Sequence, residues 1–277
     1  IITVDGASAR EPLPSFERLA ERGVRFTEAV SPGTDSRVAH AALLTGRHPL
    51  RTGFVRSQSR LSTYEQTLAE RLAAEGYATG AFVSGPGLRG ASGLHQGFAV
   101  YDDAVAGGFD EINLLRWVGA PFWPRDRASE LTVERALAWS AAHADRPQLL
   151  WVHLRAEEGA AAEAALAKLL AGLDASGVTA GALVIAAGAT GEADGSHPLA
   201  DQRVRVPMVA VWPKGPARTT VTAAVRLLDL APTALAWLGV GEPEEGEGAD
   251  LEGLAAGRRE KGLWCALVGE NDAGGPV

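Results

Sequence analysis

Short apolar runs alternate along the chain with stretches whose apolar residues recur three or four positions apart. Residues 81–83, 149–154 and 182–187 are nearly unbroken apolar runs, the pattern of strands buried on both faces of a parallel sheet. Between them the period changes. Residues 64–75 set Leu68 and Leu72 four apart, and residues 131–144 do the same with Val133, Leu137 and Ala141. Residues 160–173 carry Leu166, Leu169, Leu170 and Leu173 at helical spacing. This alternation predicts an α/β fold, a doubly wound and mostly parallel sheet flanked by helices on both faces. One domain is expected over residues 1–277. The patterning lapses in the Gly-rich residues 84–97 and in residues 104–126, both expected as long surface connections. The acidic, Gly-bearing residues 242–250 are expected as a solvated loop. Ligands of such sheets bind beyond the carboxyl ends of the strands, which here places Asp5, His153 and residues 188–191 at the site.

Composition changes this picture by exclusion. An apolar content of 46% over 277 residues is ordinary for a globular chain with one sizeable core. A net charge of −8, with no cluster of Lys and Arg to offset it, argues against a nucleic-acid partner. The single cysteine, Cys265, rules out an internal disulfide. No run of about 18 apolar residues is present, so no membrane-spanning helix is expected. The chain opens on a strand rather than on a signal-peptide pattern.

The candidate chemistry is concentrated in Ser36-Arg37-Val38-Ala39-His40-Ala41-Ala42-Leu43-Leu44-Thr45-Gly46-Arg47. A hydroxyl stands ahead of a short apolar helix that ends at Gly46. A helix N-terminus offers free N–H groups and a partial positive charge, which suits an anion. Ser36 is therefore either a nucleophile toward a sulfate or phosphate ester or a helix N-cap. Arg37 and Arg47 flank the helix and are either anion contacts or solvated side chains.

The segment resembles the nucleophile segment of the sulfatases and their relatives in the alkaline phosphatase superfamily. There a Cys, Ser or Thr precedes a Pro-Ser-Arg or Pro-Ser-His step and then Ala-x-Leu-Leu-Thr-Gly-Arg. Ser36 falls on the nucleophile and His40 on the Arg/His position, while Val38 and Ala39 replace Pro-Ser. Val38 and His40 break the context in which sulfatases mature the nucleophile to formylglycine. Further landmarks follow in order. They are Ile1-Ile2-Thr3-Val4-Asp5, Phe16-Glu17-Arg18-Leu19-Ala20 with Gly23-Val24-Arg25-Phe26, and Glu75-Gly76-Tyr77 through Val83 with Gly97-Phe98. Then come Leu150-Trp151-Val152-His153-Leu154, Arg205-Val206-Pro207-Met208 and Leu227-Leu228-Asp229 through Leu235.

The resemblance implies ester hydrolysis by a metal-activated nucleophile, and here the residues depart from it. Asp5 keeps a metal position at the end of the first strand, but Gly6 follows it where a second carboxylate is usual. In the later turn Ala189 falls on the expected Asp and Thr190 on the expected His or Asn. After His153, Ala156 replaces an Asp and Glu158 a His. Two surviving ligands, Asp5 and Ser36, are too few for Zn²⁺, which takes about four, or Ca²⁺, which takes about six to eight. Glu157, Glu158, Glu192, Asp194 and His197 are the residues from which a site could be rebuilt.

His40 is either a pocket-facing contact or a partly buried helix residue. His153 is expected as a hydrogen-bonded strand-end residue or substrate contact, and His197 as a loop residue or substrate contact. His48, His95 and His143 are expected on the surface. The preferred reading is a sulfatase-like domain that has lost hydrolysis and serves as a binding or structural module, with no cofactor and with a small anion or a protein as partner. The alternatives are an active sulfate or phosphate ester hydrolase using Ser36 and a divalent cation (Ca, Mg, Zn or Mn), and a metal-free anion binder. Export is implied by family habit.

Overall fold

The computed structural model describes residues 1–56, 58–104, 127–156, 159–191, 200–241 and 247–257. The strands are β1 (Ile2–Asp5), β2 (Val24–Val30), β3 (Ala78–Val83), β4 (Val100–Asp102), β5 (Gln148–Arg155), β6 (Val184–Gly188), β7 (Met208–Val211) and β8 (Thr219–Arg226). They form one sheet in the order β4-β3-β5-β1-β6-β7-β2-β8. Every neighbouring pair is parallel except those made by β7, which runs antiparallel to β6 and β2. The main helices are α1 (Pro14–Ala20), α2 (Ser36–Thr45), α3 (Leu68–Ala74), α4 (Ser129–Ala142), α5 (Ala160–Ala175), α6 (Leu230–Leu238) and α7 (Leu251–Ala255). The mostly parallel α/β sheet expected from the apolar runs is thus present.

The sheet divides the core in two. Phe26, Val38, Leu43, Leu44, Trp151, Ile185 and Met208 pack on the α2 side. Ile2, Val4, Phe16, Val133, Trp139, Leu166 and Leu169 pack on the side of α1, α4 and α5. Strand alternation sends successive side chains to opposite faces. Ile2 and Val4 therefore go to the second core, and Thr3 and Asp5 turn toward α2. The parallel register sets Thr3 beside His153 on β5 and Val4 beside Gly188 on β6. This brings the carboxyl ends of three central strands together under the start of α2.

Two sequence expectations change, and β8 is a strand that the apolar runs did not mark. β8 carries no apolar run because it is an edge strand, with Thr220, Thr222, Ala223 and Ala224 exposed. Residues 84–97 are a surface connection only in part: Gly87, Ala91 and His95 are exposed, whereas Leu88 and Leu94 are buried in the core. In the acidic stretch 242–250, Glu247 accepts the His48 backbone N–H at 2.8 Å and Asp250 caps α7 by accepting from Glu252 N–H. Residues 105–126, 242–246 and Cys265 lie outside the described residues. Among the described residues, no helix is long and apolar enough to cross a membrane.

Two glycines separate strain from crowding. Gly76 and Gly97 both sit at positive φ, +82° and +83°. A Cβ at Gly76 would meet nothing within 4 Å, whereas one at Gly97 would fall 2.1 Å from the Glu70 backbone N. Gly76→Ala is expected to cost about 1–2 kcal/mol, the left-handed penalty alone. Gly97→Ala is expected to cost about 1–3 kcal/mol more. Urea unfolding of the two variants checks this, and equal costs would contradict it.

Candidate active site

Helix α2 begins where the loop from β2 turns over the strand ends. Its N-cap is Asp35, whose carboxylate accepts the Arg37 N–H at 2.9 Å. Ser36 is therefore not the cap: it occupies the first helical position, and its hydroxyl is free for side-chain contacts. The other end closes at Gly46, left-handed at φ 67°.

The site is wired through one hydroxyl, that of Thr3. Trp151 Nε1–H donates to Thr3 Oγ1 at 2.9 Å. His40 Nε2 lies 2.9 Å from the same oxygen and His153 Nδ1 3.0 Å from it. His40 Nδ1 is 2.6 Å from the Ser36 carbonyl oxygen, which can only accept, so Nδ1 carries a proton. Burial, then the neighbouring His153, pushes the His40 pKa down to about 3. The neutral ring thus presents a bare Nε2, and Thr3 O–H donates to it. Both lone pairs of Thr3 Oγ1 are then left to accept, one from Trp151 and one from His153 Nδ1–H. By this assignment from partners, His153 Nδ1 carries a proton.

His153 Nε2 consequently faces Asp5, 3.3 Å from Oδ2, and has no aligned hydrogen-bond partner. His153 is 0% exposed, while the Asp5 side chain keeps 22% exposure. Asp5 Oδ1 accepts from Thr190 Oγ1 at 3.4 Å, and that hydroxyl accepts from Gly6 N–H at 3.2 Å. The Ser36 hydroxyl lies near the Asp5 carboxylate and favours its charged form. Burial alone would raise the Asp5 pKa. Charge and hydrogen bonding from His153, with smaller effects of His40 and Ser36, bring it down to about 2. A ring nitrogen of His40, one of His153 and an Asp5 oxygen lie within 4.8 Å of one another.

Asp5, Ser36, His40, His153 and Thr190 are thus gathered in one place. Ala189 stands beside them, 0% exposed, its N–H donating to Val4 O at 2.9 Å. The arginines expected at the site are turned elsewhere. The Arg37 guanidinium goes back to Asp35, with both contacts at 3.3 Å. Arg47 lies beyond the far end of the ten-residue α2, about 15 Å from Ser36, and pairs with Glu65 at 2.9 Å. Ala156 packs against the second core. Of the histidines expected on the surface, His48 is buried and its Nδ1 accepts from Leu50 N–H. Glu157, Glu158, Glu192, Asp194 and His197 lie outside the described residues. Sequence reasoning missed Thr3 and Trp151. The available signal was a hydroxyl inside the apolar Ile-Ile-Thr-Val strand and a Trp two positions before His153, hence on its face.

The family model described as "Sulfatase" matches residues 3–163, more than half of the chain. Bovine (Bos taurus) arylsulfatase A is 44% identical over 73 residues, a match covering 24% of this chain and 14% of the relative. The chain therefore aligns with only a small part of that curated relative. The crystal structure of the phosphonate monoester hydrolase of Agrobacterium radiobacter superposes with TM-score 0.78 at 16% identity, over 98% of this chain and 80% of that one. A sulfatase from Pseudoalteromonas sp. does so with TM-score 0.68 at 18% identity, over 96% and 73%. These structural likenesses show the fold.

The family uses a divalent cation, and the residues present can be tested against one. An ion bound wholly by oxygen does not fit, because Gly6 and the buried methyl of Ala189 leave Asp5 as the one carboxylate among the described residues of the site. A cation that accepts nitrogen fits better, since the buried His153 Nε2 points at Asp5.

The lowered His40 pKa sets a pH dependence. In the unfolded chain the imidazole takes up a proton near its ordinary value of about 6.5, but in the fold only near 3. Between these values the unfolded state binds more protons, so stability is full above about 6.5 and falls toward pH 3. The expected loss is on the order of a few kcal/mol. Urea midpoints from pH 7 to 4 should decline in the wild type and flatten in His40→Gln; a wild-type profile that is already flat would contradict the assignment.

Proposed function

The chain belongs to the sulfatase family, and on that premise we propose that this copy is a non-catalytic binding or structural module built on the ester-hydrolase scaffold. The observation that carries the reading is that, among the described residues, Ser36 has no free base. The nitrogen facing its hydroxyl is His40 Nδ1, 3.2 Å away, and that nitrogen already carries the proton it donates to the Ser36 carbonyl. A Ser–His pair transfers a proton only to a lone pair. The other neighbour is Asp5, held down to about pKa 2 and so a weak base.

The rest of the pocket supports the same reading. Ala189 and Gly6 stand where the resemblance implies metal-binding groups. Neither Arg37 nor Arg47, the arginines expected at the site, is aimed at Ser36 to hold a transferring sulfuryl or phosphoryl group. Asp35 also counts against a metal-free anion site at α2, because an incoming anion would meet its carboxylate at the helix start. A divalent ion, when bound, would be held by Asp5 and His153 and would supply a local positive charge. Under this reading the partner is a macromolecule or a small anion recognised without turnover, in the exported setting implied by family habit.

The test is hydrolysis of aryl sulfate, phosphate and phosphonate monoesters by the full chain, as purified and after incubation with Ca²⁺, Mg²⁺, Mn²⁺ or Zn²⁺. The expected rate equals that of a Ser36→Ala variant. Turnover that disappears in Ser36→Ala would instead support the active hydrolase.

A further inference from the structure

We infer that the surface made by residues 47–64 is a docking site for an acidic protein segment that carries large apolar side chains. The surface is separate from the Ser36 pocket and uses none of its residues.

Charge is unevenly spread along the chain. Residues 47–64 hold four arginines and no Asp or Glu, in a chain of net charge −8. Two acids from beyond the segment answer two of them. Glu65 pairs with Arg47 at 2.9 Å and Glu247 with Arg51 at 3.2 Å. Arg56 and Arg60 are exposed and pair with no carboxylate among the described residues.

The same surface is apolar in places where water would favour polar groups. Among the described residues four large apolar side chains are exposed, and two of them stand here, Tyr64 at 96% and Leu50 at 64%. The Arg47–Glu65 pair ties their two stretches together. Glu65 follows Tyr64 directly, and Arg47 leads into the Pro49–Thr52 helix that carries Leu50. An aromatic and an aliphatic anchor rimmed by guanidinium groups have the composition of a protein-binding patch.

The patch is prebuilt. Phe54 and Leu61, each 1% exposed, sink the two ends of the intervening loop into the core. Ser59 N–H donates to Arg56 O at 2.9 Å and Arg56 N–H to Ser59 Oγ at 3.2 Å, which holds Arg56 and Arg60 at one tip. Leu61 N–H donates to Ser92 O at 2.8 Å, and Tyr64 N–H to Ser62 Oγ at 3.2 Å. Little backbone is left to order on docking, which favours affinity.

The chemistry of the partner follows from both halves of the patch. The unpaired guanidinium groups call for carboxylates. Leu50 and Tyr64 call for apolar side chains. Two unpaired cations on an acidic chain are few for a nucleic acid, whose binding rests on many phosphate contacts. Two apolar side chains are few for a bilayer surface, where binding scales with buried apolar area. A peptide segment that mixes Asp or Glu with Leu, Phe or Trp satisfies both demands.

The test is selection from a displayed library of random peptides on the full chain, followed by binding kinetics of the enriched peptides. Enriched sequences should combine Asp or Glu with a large apolar residue. Tyr64→Ala should raise the dissociation rate about tenfold or more. Arg56→Glu combined with Arg60→Glu should instead slow association about tenfold and flatten its salt dependence. Leu131→Ala, at an exposed apolar position on α4, should change neither rate. Urea midpoints equal to that of the wild type establish that each variant is folded. Failure to enrich any sequence, enriched sequences without acids, or binding that survives both sets of substitutions would overturn the inference. So would retention on phosphatidylserine vesicles or on a DNA duplex that the same substitutions abolish, because the surface would then serve a lipid or a nucleic acid. The inference stands apart from the non-catalytic reading. Ester turnover that depends on Ser36 would defeat that reading and leave the docking surface, whereas failed peptide selection would do the reverse.

Discussion

The site depends on one buried oxygen. Thr3 is 0% exposed, and its Oγ1 touches three ring nitrogens, two from β5 and one from α2. A hydroxyl can donate once and accept twice, so three partners exhaust it. Because the indole only donates and the Ser36 carbonyl only accepts, the ends of this chain of bonds are fixed. Everything between them, including the proton that Nδ1 of His40 and of His153 each carries, then follows. Removing any member would strand a buried polar group, which is why such a network holds β1, β5 and α2 in one arrangement.

That constraint underlies the proposed non-catalytic reading of residues that match a hydrolytic family. Ser36 and His40 stand one helical turn apart, close enough for a nucleophile and its base. The helix itself spoils the pairing. At this spacing the imidazole meets the Ser36 carbonyl as well as its hydroxyl, and the carbonyl makes the shorter contact. The proton settles where the stronger acceptor is. Proximity of the right residue types is therefore weaker support for catalysis than the identity of the atom that carries the proton.

The sequence was informative about scaffold and less so about wiring. Apolar runs marked β3, β5 and β6 because those strands are covered on both faces, while β8 was illegible because half of it faces outward. The gathering of Asp5, Ser36, His40 and Thr190 was legible through ordered motifs. Asp35 as the cap was missed, because Ser and Asp are equally good caps and adjacent positions cannot be ranked by residue type. Arg37 and Arg47 looked like anion contacts because their partners, Asp35 and Glu65, are chosen by side-chain direction and by a loop packed from elsewhere. Thr3 and Trp151 were passed over because a polar residue in a strand and a tryptophan in an apolar run announce packing. Their joint meaning appears only when β1 and β5 are laid side by side.

Under the proposed non-catalytic reading, the acids present and absent at the site have a common electrostatic cause. A cluster of carboxylates beneath a sheet edge is tolerable only when a cation neutralises it, because each unpaired buried charge costs several kcal/mol. Once one oxygen ligand is absent, the next carboxylate at a fully buried position becomes a net cost. A methyl there, as at Ala189, is then the more stable choice. Asp5 escapes this argument. It retains partial exposure, the Thr190 hydroxyl donates to it, and the His153 imidazole stands beside it. Loss of metal-binding acids should therefore proceed from the deepest position outward. A carboxylate at the rim, paired with a nitrogen donor, is the remnant that physical chemistry allows to persist.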